Sequence, residues 1–250
     1  MTKQRLDYVL TQRGLVSSRS QAESWIRLGK VTVDGKVVSK PGTFVNDESQ
    51  VVLDANEQYV SRAGLKLASV AELLNLDFNG KTVLDVGSST GGFTDYALRN
   101  GAKKVYAVDV GTDQLHPSLQ GHERIELHEK TDIRDFRTDD KPDIIVIDVS
   151  FISLREILPH IARELMGEQT VIAAMVKPQF EAGRNQTNRG IIKNDAVRRK
   201  IMQEFELWSR QLFFIRDKRD SDVAGAKGNR ERFYLLTLNR NSTTSPGRIT

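Results

Sequence analysis

The stretch Thr82-Val83-Leu84-Asp85-Val86-Gly87-Ser88-Ser89-Thr90-Gly91-Gly92-Phe93 constrains the fold more than any other part of the chain. Its first five residues are a mainly β-branched, apolar run suited to a buried parallel strand. The run breaks at Gly87, and Gly91-Gly92 stand where the next helix begins. Such a turn lets backbone approach a ligand closely and leaves free N–H groups at a helix N-terminus. Asp85 puts a carboxylate at the carboxyl end of the strand, the edge at which open α/β sheets bind ligands. The spacing is G-x-x-x-G-G, not the G-x-G-x-x-G of a pyrophosphate-binding turn. A carboxylate facing this turn suits a ligand with a cationic amino group. S-adenosylmethionine, with an α-amino group and a sulfonium, fits, while NAD is not excluded by spacing alone.

Around this element, strand and helix signals alternate. Strands are predicted at 82–86, 104–110, 125–128, 143–149 and 170–176, with helices to about 100 and over 155–166. This alternation predicts an α/β fold with a doubly wound, mainly parallel sheet. A helix starting at Leu65 precedes it and is expected to run to about Asn79-Gly80. Residues 178–194 are polar and read as a loop; a helix over 195–211 and strands at 213–217 and 233–238 close the fold.

The first 55 residues read as a separate small module. A helix from Arg5 carries Leu6, Val9 and Leu10 on one face and stops at Gly14. Ser18 or Ser20 can cap a second helix bearing Ala22, Trp25, Ile26 and Leu28, with Gly29 as its stop. Val31-Thr32-Val33, Asp34-Gly35 and Lys36-Val37-Val38 spell strand, type I′ turn and strand, and Val51-Val52-Leu53 a third strand. The expected organisation is a small domain over 1–58, a linker at 59–64, a large domain over 65–240 and a disordered tail at 241–250.

Composition narrows the function classes. The net charge is +4, there is no cysteine, and no stretch approaches the ~18 apolar residues of a membrane span. Disulfides and thiolate metal sites are thereby excluded. The four histidines lack paired ligand spacing, so no metal is expected. The N-terminus leads into no apolar secretory core, and a cytoplasmic protein, monomeric and without a membrane partner, is the expectation. Residues 1–40 hold eight Lys/Arg against three Asp/Glu, and residues 178–232 thirteen against eight. Two basic regions around a near-neutral middle suit a long anion touched at two places; ordinary solvated surface is the alternative.

Further candidates follow the sheet edge. Asp109 ends the second strand 22 residues after Gly87, an interval at which an acid commonly takes ribose hydroxyls. Val110 follows it, and Asp132-Ile133 could hold an adenine by one polar and one apolar contact. Each acid could instead be a surface group at a strand end. Asp148 closes the run Ile144-Ile145-Val146-Ile147 and Lys177 closes Val171-Ile172-Ala173-Ala174-Met175-Val176. Charges there are costly unless paired, so they either serve chemistry or form a structural bridge.

The N-terminal residues Arg5-Leu6-Asp7, Ser18-Arg19-Ser20-Gln21-Ala22, Ile26, Gly29-Lys30-Val31, Val33 and Gly35 resemble the small RNA-binding domain of the ribosomal protein S-four type. The resemblance implies that Arg19, Arg27 and Lys30, and less directly Arg5 and Arg13, face RNA; Arg62, just past the module, is grouped with them. Over residues 1 to about 240 the chain resembles the TlyA family, known as hemolysins or ribosomal RNA methyltransferases, whose catalytic domain is similar to FtsJ-type RNA 2′-O-methyltransferases. The carrying strings are Ser61-Arg62-Ala63-Gly64-Leu65-Lys66-Leu67, Asp85 to Thr94, Asp148-Val149-Ser150-Phe151-Ile152-Ser153, Val176-Lys177-Pro178-Gln179-Phe180-Glu181 and Gly228-Asn229-Arg230-Glu231-Arg232-Phe233.

The resemblance implies a Rossmann-like class I methyltransferase domain behind a small α+β RNA-binding domain. It implies S-adenosyl-L-methionine as cofactor, ribosomal RNA or ribosomal subunits as partner, and methylation of a ribose 2′-hydroxyl, of a cytidine in particular. It also implies a catalytic tetrad at Lys66, Asp148, Lys177 and Glu231. Lys66 and Glu231 stand out by nothing else: the first reads as a polar helix face, the second as one charge among several. Asp85, Gly87, Ser88, Ser89, Thr90, Gly91, Gly92, Phe93, Asp109, Val110, Asp132, Ile133 and Asp148 are the candidate cofactor contacts. A lysine takes a proton only when neutral, and two ammonium groups in one pocket disfavour each other's charged form. The division expected is Lys177 activating the hydroxyl, Lys66 and Glu231 orienting it, and Asp148 between cofactor and nucleophile. A non-catalytic RNA-binding assembly factor and a membrane-active hemolysin are the competing classes.

Overall fold

The computed structural model describes residues 3–16, 19–27, 29–54, 59–182, 191–192, 194–223, 225 and 229–239. The predicted cap Ser18, Leu28, Gly228 of the last motif and the tail at 241–250 lie outside the described residues, as do the side chains of Ser20 and Arg27.

The N-terminal module comprises β1 (Lys3–Arg5), α1 (Leu6–Gln12), α2 (Arg19–Arg27), β2 (Val31–Val33), β3 (Lys36–Val37), β4 (Phe44–Asn46) and β5 (Val51–Leu53). β1 pairs antiparallel with β4, while β3, β2 and β5 form a three-stranded antiparallel sheet. Asp34 (φ 50°) and Gly35 (φ 76°) both adopt the left-handed conformation that a type I′ turn needs. Strand β1 is absent from the sequence expectation. Lys3-Gln4-Arg5 has no apolar alternation, and only its partner β4 makes it a strand; α1 accordingly starts at Leu6, not Arg5.

The large domain runs α3 (Arg62–Ala71), β6 (Thr82–Val86), α4 (Gly92–Arg99), β7 (Lys104–Val108), β8 (Ile125–His128), β9 (Ile144–Ile147), α5 (Leu154–His160), β10 (Val171–Val176), α6 (Pro178–Glu181), α7 (Asp195–Ser209), β11 (Phe213–Asp220) and β12 (Arg232–Leu238). Its sheet has the order β11-β12-β10-β9-β6-β7-β8. β8 to β10 are all parallel, and β12 is antiparallel to both its neighbours. The chain moves outward from β6 through β7 and β8, then returns to the other side of β6 as β9. The carboxyl ends of β6 and β9 therefore border a topological switch point, where such sheets open a crevice.

Side-chain alternation gives each face of the sheet its own core. Val83, Val105, Val146, Ala173, Met175 and Phe233 pack with Leu67, Val70, Phe93 and Ala97 of α3 and α4. Leu84, Val86, Val108, Ile145, Ile147, Ala174 and Tyr234 pack with Leu154, Ile157, Met202 and Phe205 of α5 and α7. The starts of α3 and α4 touch closely: a Cβ on Gly64 would lie 2.9 Å from the Gly92 carbonyl oxygen.

Several boundaries differ from expectation: α3 begins at Arg62, inside the expected linker, β11 runs on to Asp220 by pairing with β12, and three others differ for local reasons. Helix α3 stops at Ala71 rather than near Asn79, because Asn75 turns left-handed (φ 52°) and Leu76 N–H closes on the Ala71 carbonyl. The helix expected over 155–166 is α5 followed by a π-helical turn at Ile161–Leu165, just after Pro159, which offers no N–H. The loop expected from 178 opens with the single turn α6, started by Pro178 at its first position.

Candidate active site

The glycine turn folds as its sequence requires. Gly87 has φ 79°, and a Cβ there would come within 3.0 Å of the Asp148 carbonyl oxygen. The turn thus rests directly against the backbone that follows β9. Gly91, also left-handed, caps α4. Ser89 N–H donates to Asp109 Oδ2 at 2.8 Å and Gly111 N–H to Asp109 Oδ1 at 2.7 Å, so one carboxylate ties the turn after β6 to the loop after β7.

Asp85 is 1% exposed. Its Oδ2 accepts from Thr94 N–H (2.9 Å) and Thr94 Oγ1–H (2.7 Å), while Oδ1 is buried without a partner, as is Ser88 Oγ. Burial pushes the Asp85 carboxyl up to about 7; Thr94 opposes this, and the charges of Asp148 and Asp109 add to it.

Two adjoining cavities flank this turn. The larger, about 370 Å³, is lined by Gly87, Ser89, Asp109, Val110, Asp132 and Ile133 among others. The smaller, about 150 Å³, is lined by Ala63, Asp85, Ser88, Thr90, Phe93 and Lys177 among others. Gly87, Ser89, Asp148 and Ser150 line both. Of the candidate cofactor contacts, Gly91 and Gly92 line neither; they serve the turn and the α3–α4 approach. The Asp132 carboxylate is held by Arg134 through Nη2 (2.6 Å), Nε (2.9 Å) and N–H (2.9 Å), which keeps it below the ordinary carboxylate range.

The four implied tetrad residues come together as two ion pairs at the same sheet edge. Lys177 Nζ lies 2.6 Å from Asp148 Oδ1 and donates to Ser150 Oγ at 2.7 Å. Lys66 Nζ, from α3, lies 2.6 Å from Glu231 Oε2. The last rung between β10 and β12 joins Val176 to Arg232. One step beyond it Lys177 and Glu231 stand opposite each other, on the face that carries Met175 and Phe233. All four side chains are largely buried.

Ser150 is a polar neighbour that sequence reasoning gave no role, although it sits inside a quoted motif. Its only signal was position, two residues past Asp148 at a strand end. Phe151 likewise carries no sequence signal: it is 92% exposed, has φ 67°, packs at a tilt against Phe180 with ring centroids 5.3 Å apart and lines the larger cavity.

Of the N-terminal cations, Arg5 and Arg19 both pair with Asp7, a fully buried carboxylate, at 2.7 and 3.1 Å. Their side chains remain about half exposed. Arg13 donates to the Ser49 and Asp47 carbonyls (2.9 and 2.8 Å), binding α1 to the β4–β5 turn. Lys30 is exposed, and Arg62 opens α3, half-buried.

A parallel sheet with an antiparallel outer pair, a glycine turn at its switch point and a small α+β module ahead of it define a methyltransferase-type α/β enzyme with an appended domain. The chain belongs to the FtsJ-like methyltransferase family, whose profile matches residues 59–239, and it carries an S4 domain over residues 4–52. A 23S rRNA (cytidine-2′-O)-methyltransferase, TlyA, of Campylobacter jejuni is 36% identical, covering 94% of this chain and all of its own. Hemolysin A of Brachyspira hyodysenteriae is 39% identical over 91% of this chain and 97% of its own. A solved structure presented as a candidate hemolysin of Streptococcus thermophilus is 36% identical, with a TM-score of 0.71 over 96% of this chain and 90% of its own. Membership in the family implies a methyl donor. Among the described residues, no helix is long and apolar enough to cross a membrane, and no cluster of His, Asp and Glu forms a metal site.

Proposed function

We propose that this chain is an S-adenosylmethionine-dependent methyltransferase acting on a ribose 2′-hydroxyl of ribosomal RNA, with cytidine, named for the Campylobacter jejuni relative, as the nucleoside. The observation that carries this reading is the presence of two buried Lys–carboxylate pairs at one edge of the sheet, one of them lining the cavity beside the glycine turn. The relatives' names and the S4 domain support the RNA substrate.

The chain's own groups fit the donor. The partnerless Asp85 Oδ1 and Ser88 Oγ suit its ammonium, the Gly87 turn leaves space a side chain would fill, and Ile133 with Val110 offers apolar walls in the larger cavity. When bound, the donor supplies a methyl group on a sulfonium, and the protein supplies position and electrostatics.

Asp148 lines both cavities and Lys177 the smaller one, so both groups border the donor site. Lys177 Nζ, oriented by Asp148 and Ser150, takes the proton from the 2′-hydroxyl, which requires its neutral form. Lys66 and Glu231, on the opposite side of Lys177, orient the ribose. Arg5, Arg19 and Lys30 of the N-terminal module bring the RNA to this edge, with the chain acting as a monomer.

The test is methyl transfer from labelled S-adenosylmethionine to ribosomal subunits purified from cells that lack this gene, followed by mapping of the modified ribose. Lys177→Ala should abolish transfer while retaining donor binding in calorimetry. Full transfer by Lys177→Ala overturns the role of that residue, and absence of heat on adding the donor to wild type overturns the enzyme.

A further inference from the structure

The hydrophobic core of the N-terminal module does not close on its own residues. Leu6, Val9, Leu10, Ile26 and Val31 cluster with Tyr59, Leu65 and Val223, which come from the rest of the chain. Leu65 and Val223 are each 1% exposed. Leu65 directly precedes Lys66 on α3, and Val223 lies on the segment that joins β11 to β12 and ends at Glu231. Both members of the Lys66–Glu231 pair are therefore tethered, over a short length of chain, to side chains sunk in the small module's core.

The tether on the Glu231 side is specific. Ser221 N–H donates to the Glu231 carbonyl at 3.0 Å, which continues the β11–β12 pairing one step past Asp220 and Arg232. Val223 N–H donates to Ser221 Oγ at 3.2 Å, and Ser221 Oγ–H donates to the Val223 carbonyl at 3.0 Å. Two residues on, Gly225 N–H donates to the Asn229 carbonyl at 2.9 Å, and Gly225 lies so close to the Glu231 carboxylate that a Cβ there would overlap it. Asn229, 4% exposed, accepts from Ile192 N–H at 3.1 Å. Gly225, which confines the Glu231 carboxylate, is thus bonded to the Asn229 carbonyl and lies two residues from the buried Val223.

We propose that Val223 is a positioning residue for the reaction. Its insertion into the core of the RNA-binding module holds Ser221 and Gly225 against Glu231 and so keeps Glu231 on Lys66. Packing of the small module and alignment of the Lys66–Glu231 pair then share one hydrophobic core. The inference rests on the reading above, since methyl transfer is its main readout.

The experiment compares the full-length chain with Val223→Ala and Val223→Ile, using ribosomal subunits from cells lacking this gene and labelled S-adenosylmethionine. Val223→Ala should lower kcat on the order of tenfold while KM for subunits and the donor Kd stay within about twofold, a loss confined to the transition state. Hydrogen exchange at 221–231 should speed up in Val223→Ala, and Val223→Ile should restore both kcat and protection. A simple core-filling role would lower the melting temperature and leave kcat per folded molecule alone. Unchanged kcat, or a raised KM at constant kcat, overturns the proposal, as does unchanged exchange at 221–231. If Val223→Ala does not fold, Val223→Thr, of the same shape, is read by the same measurements. Failure of wild type to transfer methyl overturns the functional reading instead, and the exchange measurement then still decides the tether.

Discussion

Lys177 and Glu231 stand opposite each other one step past the final β10–β12 rung, yet each takes its 2.6 Å ion-pair partner from a different element: Asp148 after β9, and Lys66 on α3. Removing one member of a buried pair leaves an uncompensated charge and costs about 3–5 kcal/mol. Glu231→Ala and Glu231→Gln both strip the buried Lys66 of its counter-charge and should therefore destabilise the fold as well as slow transfer, Glu231→Gln by less because its amide oxygen can still accept from Lys66 Nζ. Urea unfolding alongside single-turnover rates separates the two.

Ser150→Ala removes the hydroxyl that accepts from Lys177 Nζ but leaves Asp148 in place. With that contact gone the amine is held by Asp148 alone, and the loss of its orientation should lower kcat about tenfold, equivalent to about 1.4 kcal/mol. Donor binding, measured by calorimetry, should be nearly unchanged.

Asp85 gives the ligand-free chain a pH dependence of definite sign. Its carboxyl is raised from 3.8 to about 7 by burial, so between pH ~4 and ~7 the folded chain holds a proton that the unfolded chain has lost. Stability falls as pH rises through that window and levels off above it. Asp85→Asn should melt with a smaller difference between pH 5 and pH 8. Donor affinity should run the other way, rising toward pH 7 as the carboxylate forms to meet an ammonium, and Asp85→Asn should bind weakly at every pH.

Glu181 joins the two segments that carry Asp148 and Lys177. Its buried carboxylate accepts from Ser153 Oγ–H at 2.6 Å and Leu154 N–H at 2.7 Å. Glu181→Ala leaves both donors unpaired in the interior, a cost of about 1–3 kcal/mol. A lowered urea midpoint with an unchanged m-value is the expected result.

The N-terminal arginines should separate by their partners. Arg19, about half exposed on Asp7, is proposed as a phosphate contact, so Arg19→Ala should weaken RNA binding and reduce the slope of log K against log salt by about 1. Arg13 spends its guanidinium on two carbonyls of the β4–β5 turn. Arg13→Ala should therefore lower the stability of the module and change the salt slope less. Filter binding across a potassium chloride series distinguishes them.

The strand-and-turn grammar was legible wherever local conformation dictated it. The run ending at Val86, the left-handed Gly87 and the Asp34-Gly35 turn each need particular residue types at that very position. Strand β1 was not legible, because Lys3-Gln4-Arg5 becomes extended only by pairing with β4. The end of helix α3 is not legible, because its apolar pattern continues past the point where Asn75 reverses the chain. Lys66 and Glu231 are visible only through family resemblance, since neither an exposed-looking lysine on a helix nor one acid among three charges carries a local signature.

By itself, then, the chain's order of residues determined the parallel sheet, the ligand turn at its carboxyl edge and the small basic module before it, all consequences of short-range periodicity and backbone sterics. Which charge meets which was decided only by tertiary structure. The return of the chain past β6 brings the ends of β9, β10 and β12 side by side, and α3 reaches over them. Residues as far apart as 66 and 231 pair because sheet order, not sequence distance, sets who is adjacent.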